Sequence, residues 1–248
     1  MPVDFPLERR AAIHAALGEP ARLAIVDELR VTDRSPGELA NLLHLSTNLL
    51  THHLDVLESL GLIERISSSG DRRRKYVRLR HGPPAALDTV SPPRPARTLF
   101  LCTHNSARSQ LAAALWTTRT GTPAESAGTH PAERVHRGAI AAGRRAGLDL
   151  RDAIPRMIDV IDPGAQVVTV CDRAHEELDA PASWWHWSIP DPVERGTPEA
   201  FDAVVALLDI RIAALTTDLA PSPPERPHPE RPHPERPHRA QPHRGDRS

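Results

Sequence analysis

Residues 99–110 have the sequence LFLCTHNSARSQ: an apolar run, then a cysteine, five residues, an arginine and a serine. A strand before Cys102 and a helix starting near Arg108 would form a strand–loop–helix unit. Backbone N–H groups at such a helix start can face a bound oxyanion. A cysteine in that loop lies in a positive electrostatic field, which predicts a lowered thiol pKa and a nucleophilic thiolate. The stretch therefore predicts an α/β domain with an oxyanion site at Cys102.

The remaining loop residues fit the same chemistry. The planar guanidinium of Arg108 can hold two oxygens of a phosphate-like anion, and Ser109 can donate a hydrogen bond to the thiolate. Asn105 tolerates the left-handed backbone conformation that a tight loop requires. The residues predicted to bind the oxyanion or to support the loop are Thr103, His104, Asn105, Ser106, Ala107 and Ser109.

A reaction at this loop also needs a general acid for the departing oxygen. Residues 184–192, WWHWSIPDP, place Asp191 before a proline and after a strand-like run. An Asp-Pro pair alone is only a turn signal. Combined with the cysteine loop it completes a nucleophile and an acid, and it predicts Asp191 as the proton donor.

These two motifs, with SAGT at 126–129 between them, make residues 97–219 resemble the low-molecular-weight protein tyrosine phosphatase superfamily. The resemblance implies a four-stranded parallel sheet with helices on both faces. It also implies that Cys102 is the nucleophile, Arg108 the oxyanion binder and Asp191 the general acid.

Two positions distinguish between the branches of this superfamily. Phosphotyrosine enzymes generally follow the Asp-Pro pair with an aromatic residue, and Val193 stands there instead. His104 and the continuation RSQLAA are more similar to the arsenate reductase branch. We therefore favour arsenate reduction over tyrosine phosphatase activity. A domain that only senses an oxyanion is a further alternative.

The second cysteine, Cys171, lies in VVTVCDRAHEEL after a strand-like run. Thioredoxin-coupled relatives carry a resolving cysteine there and another about seven residues on, where this chain has Leu178. Three interpretations stay open: Cys171 attacks the arsenic adduct on Cys102, is a remnant, or is a core residue. The resemblance implies no bound cofactor and an external thiol reductant (mycothiol, glutathione or a redoxin), and the sequence predicts no metal site.

Residues 7–80 are charge-rich, and their apolar spacing and capping residues predict helices. The expected helices are Arg9–Leu17, Ala21–Leu29, a short helix from Ser35-Pro36 to Leu43, and one from 45–47 to Leu60 with Gly61 as its C-cap. Two strands, Leu62–Ile66 and Lys75–Leu79, would flank the basic hairpin SSSGDRRR. The order predicts a helix-turn-helix followed by a basic wing.

The stretches GEPARLAIVDELR, SPGELANLLHLSTNLLTHHLDVLESLGLIER and GDRRRKYVRL make this segment resemble the winged helix-turn-helix of ArsR-type transcriptional repressors. That resemblance implies a homodimer, formed through this domain, that binds operator DNA. The predicted DNA-contacting residues are Thr47, Asn48, Thr51 and His52 on the second helix and Arg72, Arg73, Arg74 and Lys75 in the wing.

This segment contains no cysteine, whereas ArsR-type arsenic sensors usually hold arsenic with thiolates near the helix-turn-helix. Soft ligands prefer thiolates, and the nearby His52 and His53 are interpreted as DNA-facing or core residues. Any response of this domain to arsenic would have to originate in the second domain.

The 248 residues carry a net charge of −1 and two cysteines, too few for a disulfide framework. With no secretory signal in MPVDFPLERR and no apolar run of membrane-spanning length, the expectation is a cytoplasmic protein without a membrane partner. The predicted layout is a DNA-binding domain (1–80), a proline-rich linker (81–97), the phosphatase-like domain (98–219) and a disordered tail (220–248). The tail repeats PERPH; a solvated tail is preferred over weak metal binding by its histidines.

Overall fold

The computed structural model describes residues 7–80 and 95–216. Most of the predicted linker and the whole PERPH tail lie outside the described residues. The domain boundaries given above therefore stay predictions.

The N-terminal region contains four helices followed by a two-stranded antiparallel sheet. The helices are α1 (Leu7–Leu17), α2 (Pro20–Val31), α3 (Pro36–Leu42) and α4 (Thr47–Ser59), and the strands are β1 (Ile63–Ser67) and β2 (Lys75–Leu79). This confirms the predicted winged helix-turn-helix. We call residues 68–74, which join the two strands, the wing.

Local capping explains why the helix-turn-helix begins and ends where it does. The Ser35 hydroxyl accepts from the Glu38 backbone N–H, and the Glu38 carboxylate accepts from the Ser35 backbone N–H, which forms a complete capping box for α3. Ser46 caps α4, and Gly61 follows that helix with a φ of +71°, a conformation that glycine adopts readily. The buried core beneath these helices consists of apolar side chains that include Ile25, Leu29, Leu39, Leu54, Leu57 and Val77.

The second region alternates strands and helices. Its elements are β3 (Thr98–Cys102), α5 (Arg108–Thr120), β4 (Ala124–Gly128), α6 (Arg137–Arg145), β5 (Gln166–Thr169), α7 (Asp172–Glu177), β6 (Trp185–His186), α8 (Pro192–Arg195) and α9 (Pro198–Ala214). The strand order is β4-β3-β5-β6, and every neighbouring pair is parallel. The predicted four-stranded parallel sheet is confirmed. In the described ranges, no helix is long and apolar enough to cross a bilayer.

Two apolar clusters place the sheet in the core. Phe100, Trp116 and Leu208 belong to the larger one, which α5 and α9 help to cover. Leu101 and Val167 belong to a smaller cluster. Because alternate residues of a strand point to opposite faces, Phe100 and Leu101 bury both sides of β3. The last residue of this buried strand is Cys102, so its position is fixed by the core.

The two regions share a polar contact centred on Asp33, which is fully buried after α2. Its backbone N–H donates to the His186 carbonyl at 2.7 Å. Its carboxylate accepts from the Ser188 N–H at 2.8 Å and pairs with Arg211 at 2.5 Å. Replacing this carboxylate would destabilise the fold, because it would leave the buried charge of Arg211 without a partner. Residues 95–216 are therefore joined to the N-terminal region by directional bonds.

Candidate active site

The cysteine loop wraps its backbone around the sulfur of Cys102. The Asn105 N–H donates to Cys102 Sγ at 3.2 Å, and Ser109 Oγ lies 3.0 Å from the same atom. Asn105 has a φ of +46°, in agreement with the left-handed conformation predicted for it. The loop thus directs a backbone donor and a hydroxyl at the sulfur.

The Asn105 side chain fixes the direction of the Ser109 hydroxyl. Its Nδ2 donates to Ser109 Oγ at 2.8 Å and to Ser126 Oγ at 2.9 Å, while its Oδ1 accepts from the Arg156 N–H at 2.8 Å. An amide nitrogen only donates, so Ser109 Oγ accepts there and its own hydrogen is available to Cys102. Asn105 therefore acts as a positioning residue beneath the loop.

The SAGT stretch contributes a glycine that the loop requires. A Cβ at Gly128 would lie 2.7 Å from the Thr103 carbonyl oxygen and 2.9 Å from the Asn105 backbone nitrogen. Real Cβ atoms do not approach backbone so closely, so only glycine lets β4 lie against the loop. This gives a physical reason for the residue at the end of β4.

Arg108 is buried at the start of α5, with its guanidinium facing the same side as the sulfur. Its Nη1 donates to the Ile189 carbonyl at 3.1 Å, and its Nη2 pairs with Asp191 Oδ2 at 2.6 Å. Asp191 caps α8 and accepts from the Val193 N–H at 3.0 Å through its other oxygen. Both carboxylate oxygens therefore have donors, and Asp191 accepts from one of the guanidinium N–H groups that could also bind an oxyanion.

A cavity of about 260 Å³ brings the predicted residues together. It is lined by Cys102, Thr103, His104, Ser106, Ala107, Arg108, Cys171 and Asp191, and also by Ser69, Arg173, Val193 and Glu194. Asn105 and Ser109 are fully buried and support the loop from behind. The nucleophile, the arginine and the acid predicted from distant stretches thus share one small cavity.

The expected lowering of the Cys102 pKa is wrong for this site. Burial raises the pKa of the Cys102 thiol, and the nearby Arg108 and Ser109 lower it by less. The loss of hydration around a buried sulfur outweighs the neighbouring positive charge. Arg108 and Ser109 consequently reduce the cost of forming the thiolate.

Cys171 lies two residues after the end of β5 and is the N-cap of α7. It is buried, lines the cavity with Cys102, and places its Sγ 3.2 Å from Thr103 Oγ1. Cys171 therefore belongs to the apolar core and also lines the cavity. Its part in the chemistry stays a prediction.

His104 is on the outer side of the loop. Its side chain is exposed, and Nδ1 lies 3.0 Å from the His130 carbonyl oxygen. Among the described residues, no group of three or more His, Cys, Asp or Glu side chains is arranged to hold a metal ion.

The side chains predicted to contact DNA are on the surface. Thr47, Asn48, Thr51 and His52 are exposed on α4, whereas His53 is buried with its Nδ1 3.6 Å from Glu19. The wing cations Arg72, Arg73 and Arg74 and the neighbouring Lys75 are also exposed, and Arg73 pairs with Asp71 at 2.9 Å. The contact of these residues with DNA stays a prediction.

The wing is bonded to α7, which the sequence did not predict. Asp172 Oδ2 accepts from the Ser69 N–H at 2.7 Å and lies 3.0 Å from its hydroxyl. Glu176 accepts from the Asp71 N–H at 2.8 Å, from the Ser68 hydroxyl at 2.7 Å and from the Tyr76 hydroxyl at 3.1 Å. Serines in a basic hairpin and carboxylates on a short helix have the pattern of solvated surface, so no sequence signal marked them.

A buried histidine holds the other side of Asp172. His186 Nε2 lies 3.1 Å from Asp172 Oδ1, and the His186 ring centroid lies 4.5 Å from that of Tyr76. Burial raises the pKa of Asp172, but hydrogen bonds from His186 and Ser69 outweigh it and bring the pKa to about 2. The carboxylate that anchors the wing is therefore ionised at neutral pH.

Two family models match separate parts of the chain. Residues 97–222 match the family model described as low molecular weight phosphotyrosine protein phosphatase, and residues 19–65 match the bacterial regulatory protein, arsR family. Among solved structures, an arsenate reductase from Archaeoglobus fulgidus is 29% identical, with 48% of this chain and 98% of that chain covered and a TM-score of 0.41. The tyrosine phosphatase Wzb from Escherichia coli K30, in complex with sulphate, is 22% identical, with coverages of 51% and 99% and a TM-score of 0.44. Erwinia amylovora tyrosine phosphatase amsI is 17% identical, with coverages of 52% and 95% and a TM-score of 0.43.

Proposed function

Because the chain belongs to the low molecular weight phosphotyrosine protein phosphatase family and carries an arsR-family regulatory domain, we propose that it is a DNA-binding regulator fused to a thiol-dependent arsenate reductase. The observation that carries the proposal is that Cys102 and Cys171 line one cavity beside Arg108. Hydrolysis of a phosphate ester needs one nucleophilic thiol. Reduction of arsenate needs two electrons, which two thiols supply when they form a disulfide.

In the first step, arsenate binds to the guanidinium of Arg108 and displaces Asp191 from Nη2. The Cys102 thiolate attacks arsenic, so that an As–S bond forms and an As–O bond breaks. Asp191, released from Arg108 and protonated, gives its proton to the departing oxygen, which leaves as water. Arsenic is still in the +5 state in the resulting adduct.

In the second step, the Cys171 thiolate attacks Cys102 Sγ. The electron pair of the As–S bond stays on arsenic, which is reduced from +5 to +3 and leaves as arsenite, and a Cys102–Cys171 disulfide remains. Leu178 occupies the place of a third cysteine, so an external reductant regenerates the enzyme. Two equivalents of mycothiol or glutathione, or one dithiol of a redoxin, balance the reaction. Such chemistry requires a reducing compartment, which supports a cytoplasmic location.

The alternative activity is hydrolysis of aryl phosphates by the same loop. It would need Cys102, Arg108 and Asp191 but not Cys171. Val193, 41% exposed at the cavity rim, offers an aryl ring a small aliphatic contact where phosphotyrosine enzymes generally have an aromatic one. That position favours the reductase. A second alternative, an oxyanion sensor without turnover, requires binding at Arg108 alone.

The test is arsenite production by the full chain supplied with arsenate and, in separate reactions, glutathione, mycothiol with its redoxin, or thioredoxin. We expect Cys102→Ser to abolish arsenite production with every reductant. Cys171→Ser should lower it by about tenfold or more while hydrolysis of p-nitrophenyl phosphate is retained, because the second thiol serves only the redox step. Aryl phosphate hydrolysis without any Cys102-dependent arsenite would replace the proposal with the phosphatase.

The sensor alternative has its own readout. If the domain only binds an oxyanion, arsenate changes the affinity of Cys102→Ser for operator DNA at constant ionic strength, while the wild type forms no arsenite. If the reductase is correct, the wild type turns over.

We further propose that the N-terminal region binds operator DNA as a homodimer, with the exposed side of α4 in the major groove and the wing against phosphates. The support is the exposure of the polar side chains at the start of α4 together with the exposed wing cations. Thiolates being absent from this region, the arsenic chemistry is assigned to the second domain.

A further inference from the structure

One wall of the cavity around Cys102 comes from the DNA-binding region. Ser69, in the wing, lines the cavity with Cys102 and Arg108, although it precedes them in a separate structural region. The other lining residues belong to residues 102–108, 171–173 and 191–194. The oxyanion site is therefore completed by a segment outside the phosphatase-type fold.

The wing is held at the cavity by charge-assisted bonds. The backbone N–H groups of Ser69 and Asp71 donate to the carboxylates of Asp172 and Glu176 at 2.7 and 2.8 Å. Hydrogen bonds to ionised carboxylates are stronger than bonds between neutral groups. Because backbone atoms are the donors, the path of the wing itself is fixed.

Gly70 shows how closely the wing lies on α7. A Cβ at this position would lie 2.4 Å from Glu176 Oε2 and 3.1 Å from both the backbone N and Cα of Arg173. Its φ is outside the left-handed region, so conformational freedom is not the reason for the glycine. The reason is space: the wing backbone packs directly against the helix that follows Cys171.

We infer that the wing is a specificity wall, which makes the cavity bind a free inorganic oxyanion in preference to a phosphoryl group attached to an aromatic ring. This rests on the proposed arsenate reductase function and names the feature that selects its substrate. A tetrahedral anion fits entirely within the loop and the Arg108 fork. An aryl ester must extend its ring out of a cavity of only about 260 Å³, and Ser69 of the wing forms part of the lining of that cavity.

The inference is tested by the affinity of the full chain for inorganic phosphate and for phenylphosphonate, measured by titration calorimetry. Both probes carry a PO3 group, and phenylphosphonate has a phenyl ring in place of one hydroxyl of phosphate. We expect the wild type to prefer phosphate, and Gly70→Ala, which pushes the wing from α7, to reduce that preference by about threefold or more. Gly37→Ala is the matched control, because nothing lies within 4 Å of its added Cβ, and it should leave the preference unchanged.

A second variant narrows the cavity instead of widening it. Ser69→Gln adds uncharged bulk to the cavity lining and should weaken the binding of phenylphosphonate more than the binding of phosphate. If thermal unfolding shows that Gly70→Ala is not folded, Ser69→Gln is the variant that tests the inference. An unchanged preference in the folded variants would overturn the wall. Both probes measure binding and not turnover, so the two proposals can fail separately. If the preference is unchanged and the chain makes arsenite, the wing is not a specificity wall but the reductase proposal stands. If the preference shifts and the chain makes no arsenite, the reductase proposal fails but the wing does select between the two ligands.

Discussion

The backbone N–H of Ser69 donates a 2.7 Å hydrogen bond to the carboxylate of Asp172, 103 residues later in the chain. Asp172 directly follows Cys171, which lines the oxyanion cavity. A segment proposed to contact DNA is thus one hydrogen bond and one peptide bond from a cavity thiol. The proposed oxyanion chemistry and the proposed DNA binding would therefore share the wing.

The ionised state of Asp172 should stabilise the fold above acidic pH. Its pKa falls from 3.8 to about 2 on folding, so the folded state holds the proton more weakly than the unfolded state. The stabilisation is present above pH 3.8, amounts to about 2 kcal/mol, and is lost as the pH falls through 2. We expect Asp172→Asn to lower the free energy of urea unfolding at neutral pH, and its difference from wild type to shrink between pH 4 and 2.

The control for this titration is Asp27→Asn, because Asp27 is exposed on α2. Its difference from wild type should be small and nearly constant with pH. A difference for Asp172→Asn that persists undiminished at pH 2 would contradict the assignment of the stabilisation to the ionised carboxylate.

Removing the Ser109 hydroxyl should make Cys102 less reactive. Asn105 orients that hydroxyl so that its hydrogen is available to the sulfur, and a hydrogen bond to a charged group contributes about 1.5–3 kcal/mol. In a Cys171→Ser background, Ser109→Ala should raise the pKa of Cys102 by about one unit or more, measured from the pH dependence of iodoacetamide alkylation.

Ser126→Ala is the matched control for that measurement. Ser126 accepts the other Nδ2 hydrogen bond of Asn105 but does not contact the sulfur in this network. Its effect on the alkylation profile should be clearly smaller. Equal shifts in the two variants would mean that loop order, and not the Ser109 hydroxyl, sets thiol reactivity.

Arg108→Lys should disable the oxyanion site although it keeps the charge. Lysine lacks the planar fork that contacts Ile189 and Asp191 at once, and removal of a transition-state donor of this kind costs about 100-fold or more in kcat/KM. Arg173→Lys, at the cavity rim, is the control and should cost only a few-fold. Comparable reductions in both would show that net charge alone governs the site.

The sequence predicted the parts of the fold that depend on local chemistry. The helix start at Ser35-Pro36 and the left-handed Asn105 follow from residue types within a few positions of one another. Even the approach of Asp191 to Cys102 fits parallel-sheet topology, because the loops after the carboxyl ends of parallel strands lie at the same edge of the sheet.

What the sequence could not supply depends on long-range burial. Asp33 and Asp172 look like solvated surface residues, and only the assembled structure shows that each is buried and bonded across the two regions. The predicted direction of the Cys102 pKa shift was wrong for the same reason. A loop pattern indicates the nearby charge but not the hydration that the sulfur loses on burial.

The wing arginines should differ in their contribution to DNA binding. Arg73 is held by Asp71, which offsets its charge, whereas Arg72 and Arg74 are exposed cations of the same wing. Removing one arginine–phosphate ion pair should reduce the slope of log affinity against log salt by about one. We expect Arg72→Ala and Arg74→Ala to reduce the slope measured by fluorescence anisotropy on a labelled duplex, and Arg73→Ala to reduce it less.

Since the slope depends on the number of phosphates neutralised and not on base sequence, a generic duplex suffices. Three equal slopes matching the wild type would remove the wing from the DNA interface.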